Sequence, residues 1–365
     1  MNSSRATKAF AYSLAFLLPL NMGCEKDAVS SEQPVPTTYA EFENVSYEGQ
    51  LQRLAQLGEL KAYAKTANAG AALDSARLAA MYRNAPNASF QGVYTKAIHP
   101  KTFAPFQDNF DKYFGRIAGL SALETPLSPM QAGLQTAQSG KSYLLADNGV
   151  EYLQVIEKGL MGACFFYQAN GVYLSDQRMN ADNDEVTPGE GTARQHFFDE
   201  AFGYFGVPKD FPADTDGVAF WGDYCNDRNP ELGTNTIMEA FLKGRAALVN
   251  KDDAALGEAI EQISQQWSIV AASTAIHYLN LALEHEHDSA ARAHDLTEAI
   301  AFAFALPLSQ RAAQTQAEVD EIVRNLAGSS DYSAMNLWTV SNEAIVATLQ
   351  QMAEVYGIAA QAPNL

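Results

Sequence analysis

Basic side chains are scarce in this chain. Its 365 residues include 24 Lys and Arg against 43 Asp and Glu, which gives a formal net charge of −19. Because an acidic surface repels phosphate backbones, this composition argues against nucleic acid as a partner. Such a surface also concentrates cations, although many acidic proteins carry their charge for solubility alone. The charge therefore gives only weak support for a role in handling metals.

The motifs of several enzyme classes are also missing. The sequence contains no Walker loop, dinucleotide fingerprint, Cys-x-x-Cys, His-Glu-x-x-His or Gly-x-Ser-x-Gly pattern. Two acid-rich segments, 175–191 and 214–223, lack the spacing of an EF-hand loop and are predicted to be solvated loops. The sequence therefore carries no motif signal for these enzyme classes.

Only three cysteines occur, and the first ends a distinctive leader. Arg5 and Lys8 precede an apolar stretch, 9–20, that is too short to span a bilayer, and Asn-Met-Gly then leads into Cys24. This arrangement resembles a bacterial lipoprotein signal, in which residues 1–23 are removed and the Cys24 sulfur carries a lipid. An ordinary secretory signal is the alternative.

The segment after the leader indicates where the protein resides. Glu25 stands where aspartate acts as an inner-membrane retention signal in many bacteria, which favours an outer-membrane lipoprotein that faces the periplasm or the cell surface. Residues 24–38 are predicted to be a disordered tether to a folded domain, 39–365. An oxidising compartment permits a disulfide between Cys164 and Cys225, although Cys164 also fits a helix core.

Helical periodicity runs through most of the domain, and no run alternates convincingly as a strand would. Helices are predicted at 47–68, 70–83, 102–122, 129–139, 150–168, 190–206, 231–249, 253–286, 289–306, 314–326 and 333–356. Mixed helix lengths and loops that contain Pro and Gly favour bundles. The sequence therefore predicts an all-α fold of two packed helical bundles, with a boundary near 207–230.

A histidine and two carboxylates share one helical surface in the predicted helix 190–206. Asp199 and Glu200 lie one turn beyond His196, and Gly203 follows at the same spacing and leaves a gap where another chain can approach. Imidazole with carboxylate suits a transition metal, and it equally suits a buried ion pair. Both interpretations remain open at this point.

Two later helices repeat this combination. His277 and Glu284 fall on a face that should be buried, and His294 precedes Glu298 by one turn. The alternatives are a core histidine bonded to a backbone carbonyl or a tyrosine, and an ion pair on a helix surface. Bundle proteins build metal sites from facing helices, so the recurrence supports metal binding. Two more histidines fall at a helix end that is predicted to be solvated, His285 and His287.

Four segments together resemble a known family: 157–163, 196–206, 220–226 and 241–247. They resemble the uncharacterised lipoproteins called domain of unknown function 4856, within the imelysin-like group. This resemblance implies two helical-bundle repeats in a periplasmic or surface-exposed protein associated with iron acquisition.

The signature of the imelysin-like group is Gly-x-His-x-x-Glu. His196 matches its histidine, whereas Arg194 replaces the glycine and Asp199 occupies the glutamate position, with Glu200 one residue later. The resemblance therefore implies a metal site at His196 without deciding which carboxylate binds.

These observations predict a lipid-anchored envelope protein that binds a metal ion or a metal chelate and assists iron uptake. Iron is the expected metal, with zinc as the alternative, and the candidate ligands are His196, Asp199, Glu200, His277, His294 and Glu298. The imelysin-like group was once classed with metallopeptidases, so a zinc peptidase is a second hypothesis, although the paired-histidine motif is missing. A third is a scaffold lipoprotein of an envelope transport complex that binds no metal.

Overall fold

Helices follow one another through residues 33–365, without 125 and 127, which are the residues that the computed structural model describes. The α-helices are α1 (Glu48–Lys65), α2 (Ser75–Arg83), α3 (Gln107–Ser121), α4 (Tyr152–Leu160), α5 (Asp176–Met179), α6 (Ala193–Phe205), α7 (Trp221–Leu232), α8 (Ile237–Asn250), α9 (Asp253–Glu284), α10 (Ser289–Ala303), α11 (Gln316–Ala327) and α12 (Asn342–Val355). A π-helical segment, Met161–Tyr173, continues α4. The prediction of an all-α protein is confirmed.

Short 3-10 turns connect many of these helices. They are Tyr39–Glu41, Thr66–Ala69, His99–Lys101, Ala104–Phe106, Thr234–Thr236, Leu306–Leu308, Leu337–Thr339 and Ala362–Asn364. Cys24 and the leader 1–23 lie outside the described residues, as does the predicted tether up to residue 32. The described end of the tether contacts α8, since the Gln33 amide donates to Asn250 Oδ1 at 2.9 Å. No helix in the described part of the chain combines the length and apolar character needed to cross a bilayer.

A small hairpin interrupts the helices. Strands β1 (Gly133–Thr136) and β2 (Ser142–Leu145) pair antiparallel, with Gly133 opposite Leu145 and Thr136 opposite Ser142. The predicted helix 129–139 is therefore wrong. Gly140, at φ +83°, closes the hairpin, and three consecutive residues of β2 are buried. Because β2 is covered on both faces, it lacks the alternation that would have revealed a strand.

The predicted boundary near 207–230 contains a helix that was not predicted. The chain forms α7 there, and the indole of the fully buried Trp221 donates to the Met161 carbonyl at 2.9 Å. Gly222 and Pro230 lie inside α7, and both residue types normally count against a helix. One face of α7, with Trp221, Gly222 and Cys225, is buried, and the division into two bundle repeats stays a prediction.

Helix α9 lies at the centre of the core and contacts α7, α8, α10 and α12. Trp267 of α9 is fully buried and meets Phe205 edge-to-face, with ring centroids 4.8 Å apart. Burial of each such side chain contributes about 1.5–3 kcal/mol. Helix α6 packs on the π-helical segment and α1, and α10 packs on α4, so the candidate ligands on α6 and α10 face different neighbours.

Candidate functional site

The first candidate site is the outer edge of α6. Thr192 caps this helix, since its hydroxyl accepts from the Gln195 amide at 3.2 Å while the Gln195 side chain accepts from the Thr192 amide at 3.1 Å. In the turn that follows, His196 Nε2 lies 3.9 Å from Glu200 Oε2. The two side chains are 29% and 18% exposed, so the pair can be reached from solvent.

The other oxygen of Glu200 is held in place. Oε1 accepts from Gln50 Nε2 at 2.7 Å and from the Tyr173 hydroxyl at 3.1 Å. Burial and the Glu200 charge raise the pKa of Tyr173, so the phenol keeps its proton and donates it. Lys101 Nζ in turn donates to the Tyr173 oxygen at 2.8 Å. These bonds orient Glu200 so that Oε2 is the oxygen directed at His196.

Asp199 has different surroundings, although it is next to Glu200 in sequence. Its Oδ1 accepts from the Tyr39 hydroxyl at 2.6 Å and from Arg245 Nε at 2.9 Å. The Asp199 and Arg245 side chains are 0% and 1% exposed. Burial raises the pKa of Asp199 to about 6, although Arg245 and Tyr39 act to lower it. A buried ion pair is therefore present at Asp199, although its partner is Arg245 of α8 and not the histidine of the motif.

The predicted gap at Gly203 is used by another part of the chain. A Cβ atom on Gly203 would lie 2.7 Å from the Cβ of Tyr47, the residue that precedes α1. The absence of a side chain therefore lets the start of α1 approach α6 closely, and this approach places Gln50 beside Glu200.

The second candidate site surrounds His294 on α10. Its Nδ1 lies 2.5 Å from Glu151 Oε2, its Nε2 lies 3.5 Å from Glu298 Oε1, and the Tyr143 ring stacks on it at 4.3 Å. Burial lowers the pKa of His294, but the carboxylates raise it more, to about 9. The ring is therefore protonated at neutral pH, with both nitrogens facing carboxylates. A protonated imidazole has no lone pair for a metal.

Further charges extend the His294 cluster into α4, where they are buried, and to α1, where Lys61 is partly exposed. Glu298 Oε1 lies 3.9 Å from Lys158 Nζ, which donates to Glu157 Oε1 at 3.0 Å, and Lys61 Nζ lies 2.6 Å from that same oxygen. Burial raises the pKa of Glu157, but Lys158 and Lys61 lower it more. Sequence reasoning did not identify Glu157 and Lys158 as cluster residues. The available signal was two adjacent charges inside an otherwise apolar helix.

His277 and Glu284 do not form a buried pair. His277 is half-buried on α9 beside the Leu365 backbone, and burial lowers its pKa. This position agrees with the core-histidine alternative. Glu284 is exposed at the end of α9, so its predicted burial is wrong. Ala282 in the same turn is fully buried, whereas Glu284, two residues on, projects from the other side of the helix toward solvent.

The helix end at His285 and His287 is solvated only in part. His287 is exposed, as predicted. The His285 side chain is 40% exposed, and its Nδ1 lies 2.6 Å from Oδ2 of the buried Asp295. The chain reverses between α9 and α10, and this reversal brings Asp295 back beside the end of α9.

The six candidate ligands do not converge on one centre. Across residues 33–365, with 125 and 127 left aside, no group of three or more His, Cys, Asp or Glu side chains is placed to hold a metal together. What remains is the accessible His196–Glu200 pair on α6 and the His294–Glu298 pair on α10, whose imidazole lies between two carboxylates.

The two described cysteines are free and buried, so the disulfide that the sequence permits is not formed. Cys164 Sγ contacts the Ile98 carbonyl at 3.9 Å, and Cys225 Sγ contacts the Thr234 carbonyl at 3.3 Å. Burial raises the pKa of both thiols to about 12, which keeps them protonated. Cys164 is thus a small core residue, the alternative derived from the sequence.

Comparison with known proteins gives one result. Residues 40–359 match the family described as Domain of unknown function (DUF4856). Neither a curated protein nor a solved structure matches the chain.

Proposed function

The chain belongs to the DUF4856 family, and on that premise we propose that it is a lipid-anchored protein of the bacterial cell envelope that binds a metal ion or metal chelate through His196 and Glu200. The observation that supports this is the 3.9 Å between His196 Nε2 and Glu200 Oε2. Two ligands that each bind one ion at about 2.1 Å lie no more than about 4.2 Å apart. The pair therefore fits a shared ion without a change of helix geometry.

The surroundings of Glu200 support the same proposal. Metal-binding carboxylates are usually oriented by hydrogen bonds to their second oxygen, and Gln50 and Tyr173 supply such bonds to Oε1. The side of the His196 ring that faces away from Glu200 is closed to solvent. Its nitrogen Nδ1 is buried there and has no hydrogen-bond partner among the described residues. One imidazole and one carboxylate suit iron or zinc.

The small number of protein ligands favours a chelate as cargo. A peptidase zinc site has three protein ligands and an open water position, whereas His196 and Glu200 supply two. The remaining coordination positions then belong to water or to the chelating molecule. Lys101, which donates to Tyr173 beside the pair, adds a positive charge that favours an anionic chelate over a bare cation. A ligand of this kind is suited to transfer during iron uptake.

Metal-binding titrations test the proposal. Wild-type protein, His196→Ala and Glu200→Gln would be titrated with ferric citrate and with zinc by calorimetry, and His287→Ala would serve as a control because His287 is exposed. We expect the first two variants to lose roughly ten-fold or more in affinity, with unfolding midpoints unchanged.

Two outcomes would contradict the proposal. Equal binding by wild type and His196→Ala would place the metal elsewhere. A wild-type protein that binds neither ferric citrate nor zinc would favour the scaffold hypothesis.

A further inference from the structure

A cavity of about 250 Å³ lies between α3, α4 with its π-helical continuation, α10 and α11. Aromatic rings form much of its wall, namely Phe106, Phe110, Tyr113, Phe304 and Tyr332. Four of them make an edge-to-face series: Phe110 to Tyr113 at 5.7 Å, Tyr113 to Tyr332 at 5.8 Å and Tyr332 to Phe304 at 5.6 Å. The rings therefore brace one another and hold the cavity open.

Aliphatic and small residues also line the cavity, namely Val155, Gly159, Gly162, Ala163, Ala301 and Ala305. A Cβ atom on Gly162 would lie 2.9 Å from the Cβ of Ala305, so the two backbones are already in close contact there. Gly162 and Ala163 belong to the π-helical segment, and π-helical turns are frequent at functional sites. The space is partly open to solvent, since lining residues such as Asn109, Gln316 and Ser330 are half-buried, so a ligand from solution can enter it.

The charge at the cavity is negative. The charged residue in its lining is Asp320 of α11, and the described lining residues include no Lys, Arg or His. Asp320 Oδ1 accepts from Gln316 Nε2 at 2.9 Å, and Asn109 and Ser330 are further polar groups in the lining. A second carboxylate, Asp331, is close enough to Tyr113 to raise its pKa further, after the larger effect of burial.

We propose that this cavity binds a small aromatic molecule that carries one ammonium group, with its ring among the five aromatic side chains and its ammonium at Asp320. An engineered apolar cavity of about 150 Å³ accepts benzene, so the larger space here accommodates a substituted ring. Aromatic faces attract cations, and the Asp320 carboxylate adds a charged partner. This site is separate from the His196–Glu200 pair and does not depend on metal binding.

Three probes of similar size test the charge that the cavity selects. The full protein would be titrated with phenethylamine, 2-phenylethanol and phenylacetate, which are cationic, neutral and anionic at pH 7. We expect phenethylamine to bind most tightly, by about ten-fold over the alcohol, and phenylacetate to bind most weakly. Asp320→Asn should remove the preference for the amine, whereas the matched change Glu321→Gln, on the exposed face of α11, should keep it.

Two variants that fill the cavity test its location. Val155→Phe and Ala301→Leu add atoms inside the space, and each should reduce binding of phenethylamine by at least about ten-fold. Thermal unfolding of both variants identifies any loss that comes from misfolding, and the variant that stays folded decides the test. Unchanged affinity in a folded variant would overturn the proposal, as would equal affinity of wild type for phenylacetate and phenethylamine.

Discussion

Replacing Arg245 with Met should destabilise the folded protein and should change how its stability depends on pH. Arg245 Nε donates to Asp199 Oδ1 at 2.9 Å, and Nη2 donates to the Glu43 carbonyl at 3.1 Å. Methionine keeps much of the apolar volume and removes the charge. Asp199 would then remain fully buried with the Tyr39 hydroxyl as its one hydrogen-bond donor in the described structure.

Part of the effect follows from the protonation of Asp199. Removing one partner of a buried ion pair costs about 3–5 kcal/mol. Without the guanidinium, the pKa of Asp199 should rise from about 6 to beyond 7, so the folded variant holds a proton at pH 7. The unfolded chain gives up that proton near the ordinary value of 3.8. Wild type already loses stability over the interval from 3.8 to about 6, so the additional loss in the variant at pH 7 comes from roughly one further pH unit, about 1.4 kcal/mol. The rest of the 3–5 kcal/mol is a loss that does not depend on pH, from the broken contacts of Arg245.

The sign of the pH dependence is fixed by the same shift. A carboxyl whose folded pKa lies above its unfolded value loses stability as the pH rises between the two values. That window ends near pH 6 in wild type and extends past pH 7 in Arg245→Met. The difference in unfolding free energy between the two proteins should therefore be constant below pH 6. Above pH 6 it should grow by about 1.4 kcal/mol per pH unit.

Urea unfolding followed by circular dichroism at pH 5, 6, 7 and 8 measures this difference. Other titrating groups contribute equally to both proteins and cancel. In the background Asp199→Asn, the change Arg245→Met should lose its pH dependence because the carboxyl is gone. A difference below about 1 kcal/mol, or one that stays flat from pH 6 to 8, would refute the reasoning.

Three further predictions concern other parts of the chain. The folded pKa of His294, about 9, lies above its ordinary value of 6.5. The stabilisation from its charged form is therefore present below pH 6.5 and is lost as the pH rises through 9. Urea unfolding from pH 6 to 9 should show a loss of stability on the order of 2 kcal/mol that the variant His294→Gln lacks. Gly203→Ala should destabilise the folded protein by about 1–3 kcal/mol, because the new Cβ would meet Tyr47. Gly58→Ala has open space around its Cβ and should stabilise the folded protein by about 0.5–1 kcal/mol. Thermal unfolding measures both changes. Cys24→Ala should move the protein from the membrane to the soluble fraction, because each buried methylene of a lipid anchor contributes about 0.8 kcal/mol; unchanged fractionation would contradict the anchor.

Local helix geometry explains which part of the α6 site was predictable from sequence. Residues four apart on a helix are neighbours, and His196 and Glu200 do face each other. Asp199 satisfies a similar spacing rule, yet it points to the core because successive residues differ by about 100° around a helix. Its partner Arg245 comes from α8, 46 residues away in sequence. Local spacing cannot indicate which of two adjacent carboxylates meets a distant arginine.

The fold was predictable where periodicity alone determines an element. The long helix α9 covers 253–284 against a prediction of 253–286, because its apolar stripe persists for many turns. The hairpin was missed because β2 is buried on both faces, and α7 was missed because glycine and proline weigh against a helix locally. In α7 the burial of Trp221 against the π-helical segment outweighs those propensities.

The repeated pairing of a histidine with an acid one turn later has two different physical outcomes in this molecule. On α10, His294 lies between Glu151 and Glu298 and is protonated, so its nitrogens serve a buried charge network. On α6, His196 Nε2 and Glu200 Oε2 stay accessible at a separation that one ion can bridge. The recurrence itself is therefore not evidence for a shared metal site. Metal titration is the informative experiment at His196, and the pH dependence of stability is the informative one at His294.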